Sequence, residues 1–204
     1  ACGGEILSSM STYSCTSHVL SASSLFIWSN KALLITCGIT ELINSAKLVF
    51  DRLPIDAASY IRRNAANPEH QKTTSESDMK ELMRNHPFKR CHFDGLEADA
   101  VALNGERLPS TQVLLMRECQ GDGRNWGLTG QFQRLVAGIM SLPQMGRFQL
   151  DTHSFSPCGF SCNGVATDGS DQYLTLHQSP QNGVNYLSVE TDLPQPDDLF
   201  DGLV

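Results

Sequence analysis

The feature that most constrains the fold is a hairpin pattern in the last quarter of the chain. A strand-like run over Tyr173–His177 is followed by the dipeptide Asn182-Gly183 and then by a second strand-like run, Tyr186–Thr191. Asn-Gly favours the two-residue turns that join antiparallel strands, because both residues accept positive φ. The sequence therefore predicts an antiparallel sheet in this region.

Alternation along these two runs also predicts which side chains share a face. Successive side chains of a strand point to opposite sides of a sheet, so Tyr173, Thr175 and His177 should lie on one face. Leu174 and Leu176 should lie on the other. On the second run the residues that face the same way are Tyr186, Ser188 and Glu190.

The remaining patterns predict an α+β fold. Strands are predicted over Glu5–Tyr13, His18–Trp28, Ala32–Cys37, Ala98–Leu103 and Gln112–Arg117. Helices are predicted from Thr40, as N-cap, to Leu53, over Asp78–Asn85 and over Gly127–Ser141, with a surface loop over Arg62–Ser77. This order lacks regular βαβ alternation, which favours antiparallel β-sheets with helices packed on the outer faces. We expect a single domain over residues 1–193 and a frayed acidic tail over 194–204.

Charge and motif content exclude several classes of function. The net charge of -7 and the lack of a basic cluster argue against a nucleic-acid partner. No run approaches 18 apolar residues, so no membrane-spanning segment is predicted. The sequence has neither a Walker A motif nor a G-x-G-x-x-G after a strand, and the N-terminus does not resemble a signal peptide. Because the sequence starts without Met in a strand-like run, we expect a piece of a longer protein.

The cysteines favour reduced thiols over a disulfide framework. There are seven, an odd number at irregular spacing, which is typical of a cytoplasmic protein. Cys158 and Cys162, with His153 and His177 nearby in the sequence, suggest zinc. A C-x3-C pair without a second paired site is weak evidence for that metal, so no metal site is predicted.

A serine-rich run and a cysteine draw attention in the first quarter of the chain. Ser21–Ser24, interrupted by Ala22, lead into the apolar run that ends at Ile27, and Cys37 stands before a glycine at the end of the next predicted strand. From residue types alone, the simpler interpretation is a set of turn serines and a buried, unreactive thiol.

Two ordered motif blocks resemble the eukaryotic-type S-adenosylmethionine decarboxylases, a pyruvoyl-dependent family. Leu20–Phe26 is similar to the family's self-cleavage site, L-S-E-S-S-hydrophobic-F, and Thr36-Cys37-Gly38 follows at the family's spacing. Phe155–Gly164 is similar to F-N-P-C-G-Y-S-x-N-G. Further matches follow at Asp168-Gly169, Leu176-His177 and Tyr186–Leu193. The resemblance covers residues from about 3 to 193, loosely over 91–149, and implies the family's αββα sandwich, here in part.

The resemblance implies that the chain is a zymogen that cuts itself between Ala22 and Ser23. Ser23 would attack the carbonyl of Ala22 and become a pyruvoyl group at the new N-terminus. His177 is implied as the base that removes the serine α-proton. Ser161 is implied as the hydrogen-bond donor that stabilises the intermediate.

The resemblance further implies a lyase that decarboxylates S-adenosylmethionine for spermidine and polyamine biosynthesis. The pyruvoyl cofactor would form a Schiff base with the substrate amine and accept the electrons of the carboxylate. Cys37 is implied as the general acid that protonates the product. Leu20, Phe155 and Gln181 are implied as substrate-binding residues, with Phe155 stacked on the adenine. Glu190 matches an acidic position linked to activation by putrescine.

The sequence departs from the family pattern at defined positions. Ala22 and Gln181 each stand where the family has glutamate, the second of which binds the ribose hydroxyls. The family's N-terminal aromatic and acidic residues have no counterpart before Cys2, and the family's C-terminal repeat is cut short after Leu193, so we expect truncation at both ends. Two alternatives are a non-catalytic regulatory paralogue and a pyruvoyl decarboxylase of another amino acid. A homodimer and a heterodimer with a paralogue are both compatible with the sequence.

Overall fold

The computed structural model describes ten segments of the chain. These are residues 4–21, 23–37, 40–63, 71–91, 98–103, 112–115, 141, 143–156, 159–181 and 184–193. They fall into two compact units. The β-rich unit combines the described parts of Ile6–Leu34 and Thr111–Val204, and the mixed unit is built mainly from the described parts of Ile35–Ser110. The single domain predicted over 1–193 stays a prediction.

The described residues form strands, two α-helices and one short 3-10 helix. The strands are β1 (Ile6–Ser11), β2 (Cys15–Leu20), β3 (Ser23–Trp28), β4 (Ala32–Thr36), β5 (Ala58–Arg63), β6 (Lys89–Cys91), β7 (Ala98–Leu103), β8 (Gln112–Leu115), β9 (Phe148–Ser154), β10 (Phe160–Ala166), β11 (Tyr173–Gln181) and β12 (Val184–Thr191). The helices are α1 (Leu42–Arg52), α2 (Ser75–Asn85) and the 3-10 helix Pro143–Arg147. None of the described helices has the length and apolar character needed to cross a membrane.

A four-stranded sheet is formed by consecutive strands in the order β1-β2-β3-β4. Strands β2 and β3 pair antiparallel from Cys15↔Trp28 to Leu20↔Ser23, so a two-residue connection joins them. The side chains of Phe26 and Trp28 are buried and their rings stack with centroids 5.8 Å apart. Because side chains alternate along a strand, Ser24 lies on the same face of β3 as these two rings.

A five-stranded antiparallel sheet in the order β8-β12-β11-β10-β9 completes the β-rich unit. One of its faces carries an apolar core that includes Phe148, Cys162, Leu174, Leu176 and Val189. The other face contacts the four-stranded sheet, where the rings of Phe26 and Tyr173 lie 5.3 Å apart between centroids. Two antiparallel sheets therefore pack face to face within this unit.

The mixed unit packs its helices against a three-stranded sheet with the order β5-β7-β6. Its apolar cluster includes Ile43 of α1, Met79 and Leu82 of α2, and Val101 of β7. Helix α2 begins with a reciprocal cap, in which the Thr74 side chain accepts from the amide of residue 77 and the Thr74 amide donates to the side chain of that residue. This cap satisfies two amide donors that would otherwise lack partners within the helix.

The predicted fold class is confirmed, and several element boundaries were wrong. The predicted strand His18–Trp28 consists of parts of two strands, with the turn between β2 and β3 inside it. The predicted loop Arg62–Ser77 contains the end of β5 and the start of α2. The N-cap of α1 is Glu41, one residue after the predicted Thr40. The predicted helix Gly127–Ser141 lies outside the described residues except for its last residue.

The predicted hairpin is confirmed by strand register. Strands β11 and β12 pair antiparallel from Leu174↔Thr191 to Gln181↔Val184. Asn182-Gly183 is the connection between them and lies outside the described residues. The predicted faces are confirmed as well, since Leu174 and Leu176 belong to the apolar core.

Candidate active site

The face of the five-stranded sheet that meets the four-stranded sheet carries the Tyr173 ring and, around His177, polar side chains. Two rows of side chains cross it in register: His153, Ser161, His177 and Ser188 in one, and Asp151, Asn163, Thr175 and Glu190 in the other. Directly paired residues of antiparallel strands point to the same side, so each row forms a continuous line of neighbours. The Asp151 carboxylate accepts a hydrogen bond from the Ser8 hydroxyl of the opposite sheet at 2.9 Å. Polar groups thus line this part of the contact between the two sheets.

His177 is the centre of this polar face. Its Nδ1 lies 2.9 Å from Ser161 Oγ on the neighbouring strand β10. Its Nε2 lies 2.9 Å from Ser24 Oγ on strand β3 of the opposite sheet. Only 3% of the His177 surface is exposed, so both ring nitrogens depend on these protein groups rather than on water.

Ser24 connects His177 to two further polar groups. Its hydroxyl donates to Asn163 Oδ1 at 2.6 Å and lies 2.9 Å from Thr175 Oγ1. The Thr175 hydroxyl also lies 3.1 Å from His177 Nε2 and 3.2 Å from Asn163 Oδ1. Ser24, Asn163 and Thr175 are each fully buried. These four side chains form one closed hydrogen-bonded cluster, which we call the His177 cluster.

Burial controls the charge of His177. Removal from water disfavours the charged ring and lowers the pKa of His177 to about 4, from an ordinary value near 6.5. The ring is therefore neutral at physiological pH. A neutral imidazole carries one donor and one acceptor nitrogen, which is the state that a general base requires.

Ser24 makes a side-chain contact with His177, whereas the side chain of Ser23, the predicted nucleophile, makes no hydrogen bond to that ring. Adjacent residues of β3 point to opposite faces of the sheet, so Ser23 is directed away from the face that carries Ser24. Ser23 is nevertheless fully buried. Within the described residues its hydroxyl has no hydrogen-bond partner.

Around the predicted cleavage bond, the structure describes Leu20 and Ser23. Ala22 lies outside the described residues. Leu20 ends strand β2, is buried and pairs directly with Ser23. The expected cleavage position is therefore at the end of the hairpin that also carries Ser24.

The two other predicted substrate residues lie near the same end of the five-stranded sheet. Phe155 follows β9, and its ring packs edge-on against His153 with centroids 4.8 Å apart. The Phe155 amide donates to the Gly159 carbonyl at 3.0 Å and closes the turn into β10. Gln181 is the last residue of β11, and its side chain lies outside the described part of the structure.

Cys37 and Glu190 occupy different parts of the fold. Cys37 directly follows β4, belongs to the mixed unit and has a half-buried, reduced thiol. Glu190 is half-buried on the polar face and pairs in register with Thr175 of the His177 cluster. Of these two predicted residues, only Glu190 lies in the row next to the one that contains His177.

The zinc interpretation has no support among the described residues. Cys162 belongs to the apolar core, and burial raises the pKa of its thiol to about 12. Its strand neighbours Ser161 and Asn163 point to the opposite, polar face, where His177 lies. The described part of the chain contains no group of three or more His, Cys, Asp or Glu side chains that could hold a metal ion. Cys158 lies outside the described residues.

Sequence reasoning missed Ser24 and Asn163 as members of the site. Thr175 was placed on the face of His177 by strand alternation alone, and that face is correct. Asn163 belongs to a matched motif, and its position two residues after Ser161 on β10 puts both on one face. That spacing was the available signal for Asn163. No comparable signal distinguishes Ser24 from Ser23, because the choice depends on the β2–β3 register.

Comparison with known proteins identifies relatives of this architecture. The model of the family described as adenosylmethionine decarboxylase matches residues 1–89 and 121–201. The S-adenosylmethionine decarboxylase proenzyme of Xenopus laevis is 28% identical over 92% of this chain and 63% of its own length. The proenzyme of Caenorhabditis elegans is 27% identical over 92% of this chain and 58% of its own. The chain thus spans about three-fifths of the length of these relatives.

A solved structure supports the fold independently. The crystal structure of the AdoMetDC-delta26 monomer of Trypanosoma brucei aligns with a TM-score of 0.60, at 19% sequence identity. The alignment covers 88% of this chain and 73% of the trypanosomal chain. The family model accounts for most of the chain, and the fold is that of a solved decarboxylase structure. This chain belongs to the adenosylmethionine decarboxylase family.

Proposed function

We propose that this chain cuts itself between Ala22 and Ser23 and then decarboxylates S-adenosylmethionine for spermidine synthesis in the cytoplasm. The observation that carries the proposal is the buried, neutral His177 held between Ser161 and Ser24 at 2.9 Å on each side. Such a ring can act as a general base, and it contacts the residue that follows Ser23 in the chain. Relatives named as proenzymes supply the family context for self-cleavage.

In the proposed self-cleavage, Ser23 Oγ attacks the Ala22 carbonyl carbon and the peptide bond becomes an ester. His177 then takes the α-proton of Ser23, a double bond forms between Cα and Cβ, and the Cβ–Oγ bond breaks to release the carboxylate of residues 1–22. Addition of water to the resulting dehydroalanine, with loss of ammonia, leaves a pyruvoyl group on the fragment 23–204. Ser161 would donate a hydrogen bond to the oxygen that becomes negative during the attack.

The environment of Ser23 fits a residue that is consumed by this reaction. A fully buried hydroxyl without a partner costs about 1–3 kcal/mol, and native structures seldom retain one. The Ser23 hydroxyl is one of several such groups among the described residues. Its conversion into a carbonyl group removes a donor that the described surroundings do not satisfy.

After cleavage the proposal gives the other residues distinct tasks. The pyruvoyl group supplies an electron sink for loss of the substrate carboxylate. Phe155 would stack on the adenine, with Leu20 as a further substrate contact, and Gln181 would accept from the ribose hydroxyls with an uncharged amide. Cys37 would return a proton to the product carbon.

The test is the denatured intact mass of the freshly purified chain. We expect two fragments, of residues 1–22 and 23–204, with a pyruvoyl group on the larger one. Ser23→Ala should give one uncut mass, whereas Ser29→Ala, an exposed serine beyond the same strand, should be cut like the parent chain. An uncut parent chain would overturn the proposal and leave the non-catalytic regulatory role.

Substrate identity needs a separate measurement on the cut chain. Release of labelled carbon dioxide from carboxyl-labelled S-adenosylmethionine should be detectable, and Gln181→Glu should increase it by restoring a charged acceptor. A cut chain that releases no label, with or without that substitution, would favour a different amino-acid substrate.

A further inference from the structure

We propose that Ser24, Asn163 and Thr175 are positioning residues that fix His177 as the Nε2–H tautomer. Nδ1, which faces Ser161, is then the basic nitrogen. The proposal concerns the uncut chain and rests on the proposed function only for the use that is made of the base. It follows from counting the protons that the His177 cluster can supply.

The shortest contact in the cluster determines where the hydroxyl proton of Ser24 lies. An amide oxygen can only accept, so Ser24 must donate its single hydroxyl proton to Asn163 Oδ1 at 2.6 Å. Ser24 Oγ can then only accept from its other neighbours. His177 Nε2 lies 2.9 Å from Ser24 Oγ, so the proton between them has to come from the ring nitrogen.

The second hydroxyl agrees with this assignment. Thr175 Oγ1 lies 2.9 Å from Ser24 Oγ and 3.2 Å from Asn163 Oδ1, and its single proton can serve either acceptor. On the other side of the ring, Nδ1 lacks a proton, so Ser161 donates its hydroxyl proton to Nδ1 at 2.9 Å. With Thr175 donating to Ser24, every contact of 2.9 Å or less then contains a proton, and only the longer Thr175 contacts, at 3.1 and 3.2 Å, lack one of their own.

The opposite tautomer leaves at least one contact of 2.9 Å or less without a proton. With the proton on Nδ1, Nε2 must accept from Ser24 or from Thr175. If Ser24 donates to Nε2, its 2.6 Å contact with Asn163 Oδ1 brings two lone pairs together. If Thr175 donates, the contacts of Ser24 Oγ with Nε2 and with Thr175 Oγ1, both 2.9 Å, have no proton. Water cannot relieve these contacts because all members are buried.

The assignment gives the three residues a role in the reaction. They hold the ring through Nε2 so that Nδ1 is the nitrogen able to take a proton, and Ser161 occupies Nδ1 until the reaction begins. Loss of the Ser24 hydroxyl removes the main acceptor of Nε2–H. We expect the tautomer ratio to fall about tenfold, the order set by one buried hydrogen bond.

The experiment reads the tautomer directly in a chain that cannot cut itself. Nitrogen-15 NMR of the Ser23→Ala chain at pH 7, through long-range couplings to the ring protons, distinguishes the protonated ring nitrogen from the bare one. The His177 signals are assigned by their loss in Ser23→Ala/His177→Gln. We expect protonated Nε2 and bare Nδ1. Protonated Nδ1 would overturn the proposal.

Substitutions then test the positioning role. Adding Ser24→Ala should move the signals toward the other tautomer, whereas adding Ser29→Ala should not. Thr175→Val should have a smaller effect in the same direction, and Thr175→Ser should restore the parent signals. Unchanged signals in Ser24→Ala would refute the role of Ser24. If Ser24→Ala does not fold, the proposal is still tested by the tautomer of the Ser23→Ala chain and by the comparison of Thr175→Val with Thr175→Ser.

These outcomes are distinct from failure of the proposed function. An uncut wild-type chain overturns self-cleavage but leaves the tautomer of His177 measurable. Conversely, a chain that is cut efficiently but carries protonated Nδ1 in the Ser23→Ala form overturns only the inference on tautomer.

Discussion

His177 combines two properties that its residue type alone does not specify. A histidine on a half-exposed strand would titrate near its ordinary pKa of about 6.5 and would be partly charged in the cell. Here burial lowers the pKa of His177 to about 4. The ring is therefore always available as a base at physiological pH, although it is a weaker base than a solvated histidine. Its basicity is a consequence of the two-sheet contact around it.

This burial predicts the pH dependence of the proposed self-cleavage. Only the neutral ring can accept a proton, so activity is lost as pH falls through the folded pKa of His177, about 4. We expect the cleavage rate of the wild-type chain, started by refolding from urea, to change less than twofold between pH 8 and 5.5. A solvated histidine would leave about a tenth of the rings neutral at pH 5.5, and the rate would fall about tenfold. His177→Gln, uncut at both pH values, is the control.

At the scale of elements, the sequence predicted which side chains share a face of a strand. It did not predict the register in which neighbouring strands pair. The Tyr173–His177 pattern predicted the correct faces of β11, because an apolar core lies on one side only. The pattern over His18–Trp28 predicted one strand where two exist, since the connection at Ser21-Ala22 lacks Gly, Pro, Asn and Asp. The register of that hairpin decides which serine meets His177. The sequence therefore located the region of the site and missed Ser24.

The turn between β9 and β10 carries a prediction on backbone conformation. Gly159 has φ of 120°, and an added Cβ would lie 3.3 Å from Phe155 Cβ and 3.4 Å from the Gln178 carbonyl oxygen. We expect Gly159→Ala to destabilise the chain by about 1–2 kcal/mol, measured by urea unfolding, because few L-residues adopt that backbone conformation. If Phe155 binds substrate as proposed, the same substitution should also raise the KM, because Phe155 would have to move away from the added Cβ.

Gly146→Ala is the matched control for this turn. Gly146 has an ordinary φ, and nothing lies within 4 Å of an added Cβ. Its substitution should change stability by no more than about 0.5 kcal/mol. Equal effects of the two substitutions would show that the conformation of Gly159 is unimportant.

On the scale of the whole molecule, buried polar clusters occur in both units. The β-rich unit has the His177 cluster, and the mixed unit has Asp78, whose carboxylate accepts from Tyr60 Oη at 2.8 Å and from the Arg62 guanidinium. Desolvation and the neighbouring carboxylate raise the pKa of Tyr60. The sequence did not predict this second cluster, because Arg62 and Asp78 fell in or beside a predicted loop and become neighbours only when α2 packs against the sheet that contains β5.

The last prediction concerns the contribution of the buried Asp78 carboxylate to the stability of the chain. It is 2% exposed, whereas the ion pair of Arg147 with Asp168 has both side chains more than 40% exposed. Removing one partner of a buried pair leaves the other charge unpaired, so Asp78→Ala should destabilise the chain by about 3 kcal/mol in urea unfolding. Asp78→Asn should lower the free energy of unfolding by less, because its amide oxygen still accepts from Tyr60 and Arg62. Asp168→Ala should leave the urea midpoint nearly unchanged, since water screens that pair.

Equal shifts for Asp78→Ala and Asp168→Ala would contradict the view that burial determines the contribution of an ion pair. The shift of the urea midpoint should be largest for Asp78→Ala, smaller for Asp78→Asn and smallest for Asp168→Ala. That order would mean that a few buried polar contacts, rather than the many exposed ones, stabilise a chain with a net charge of -7.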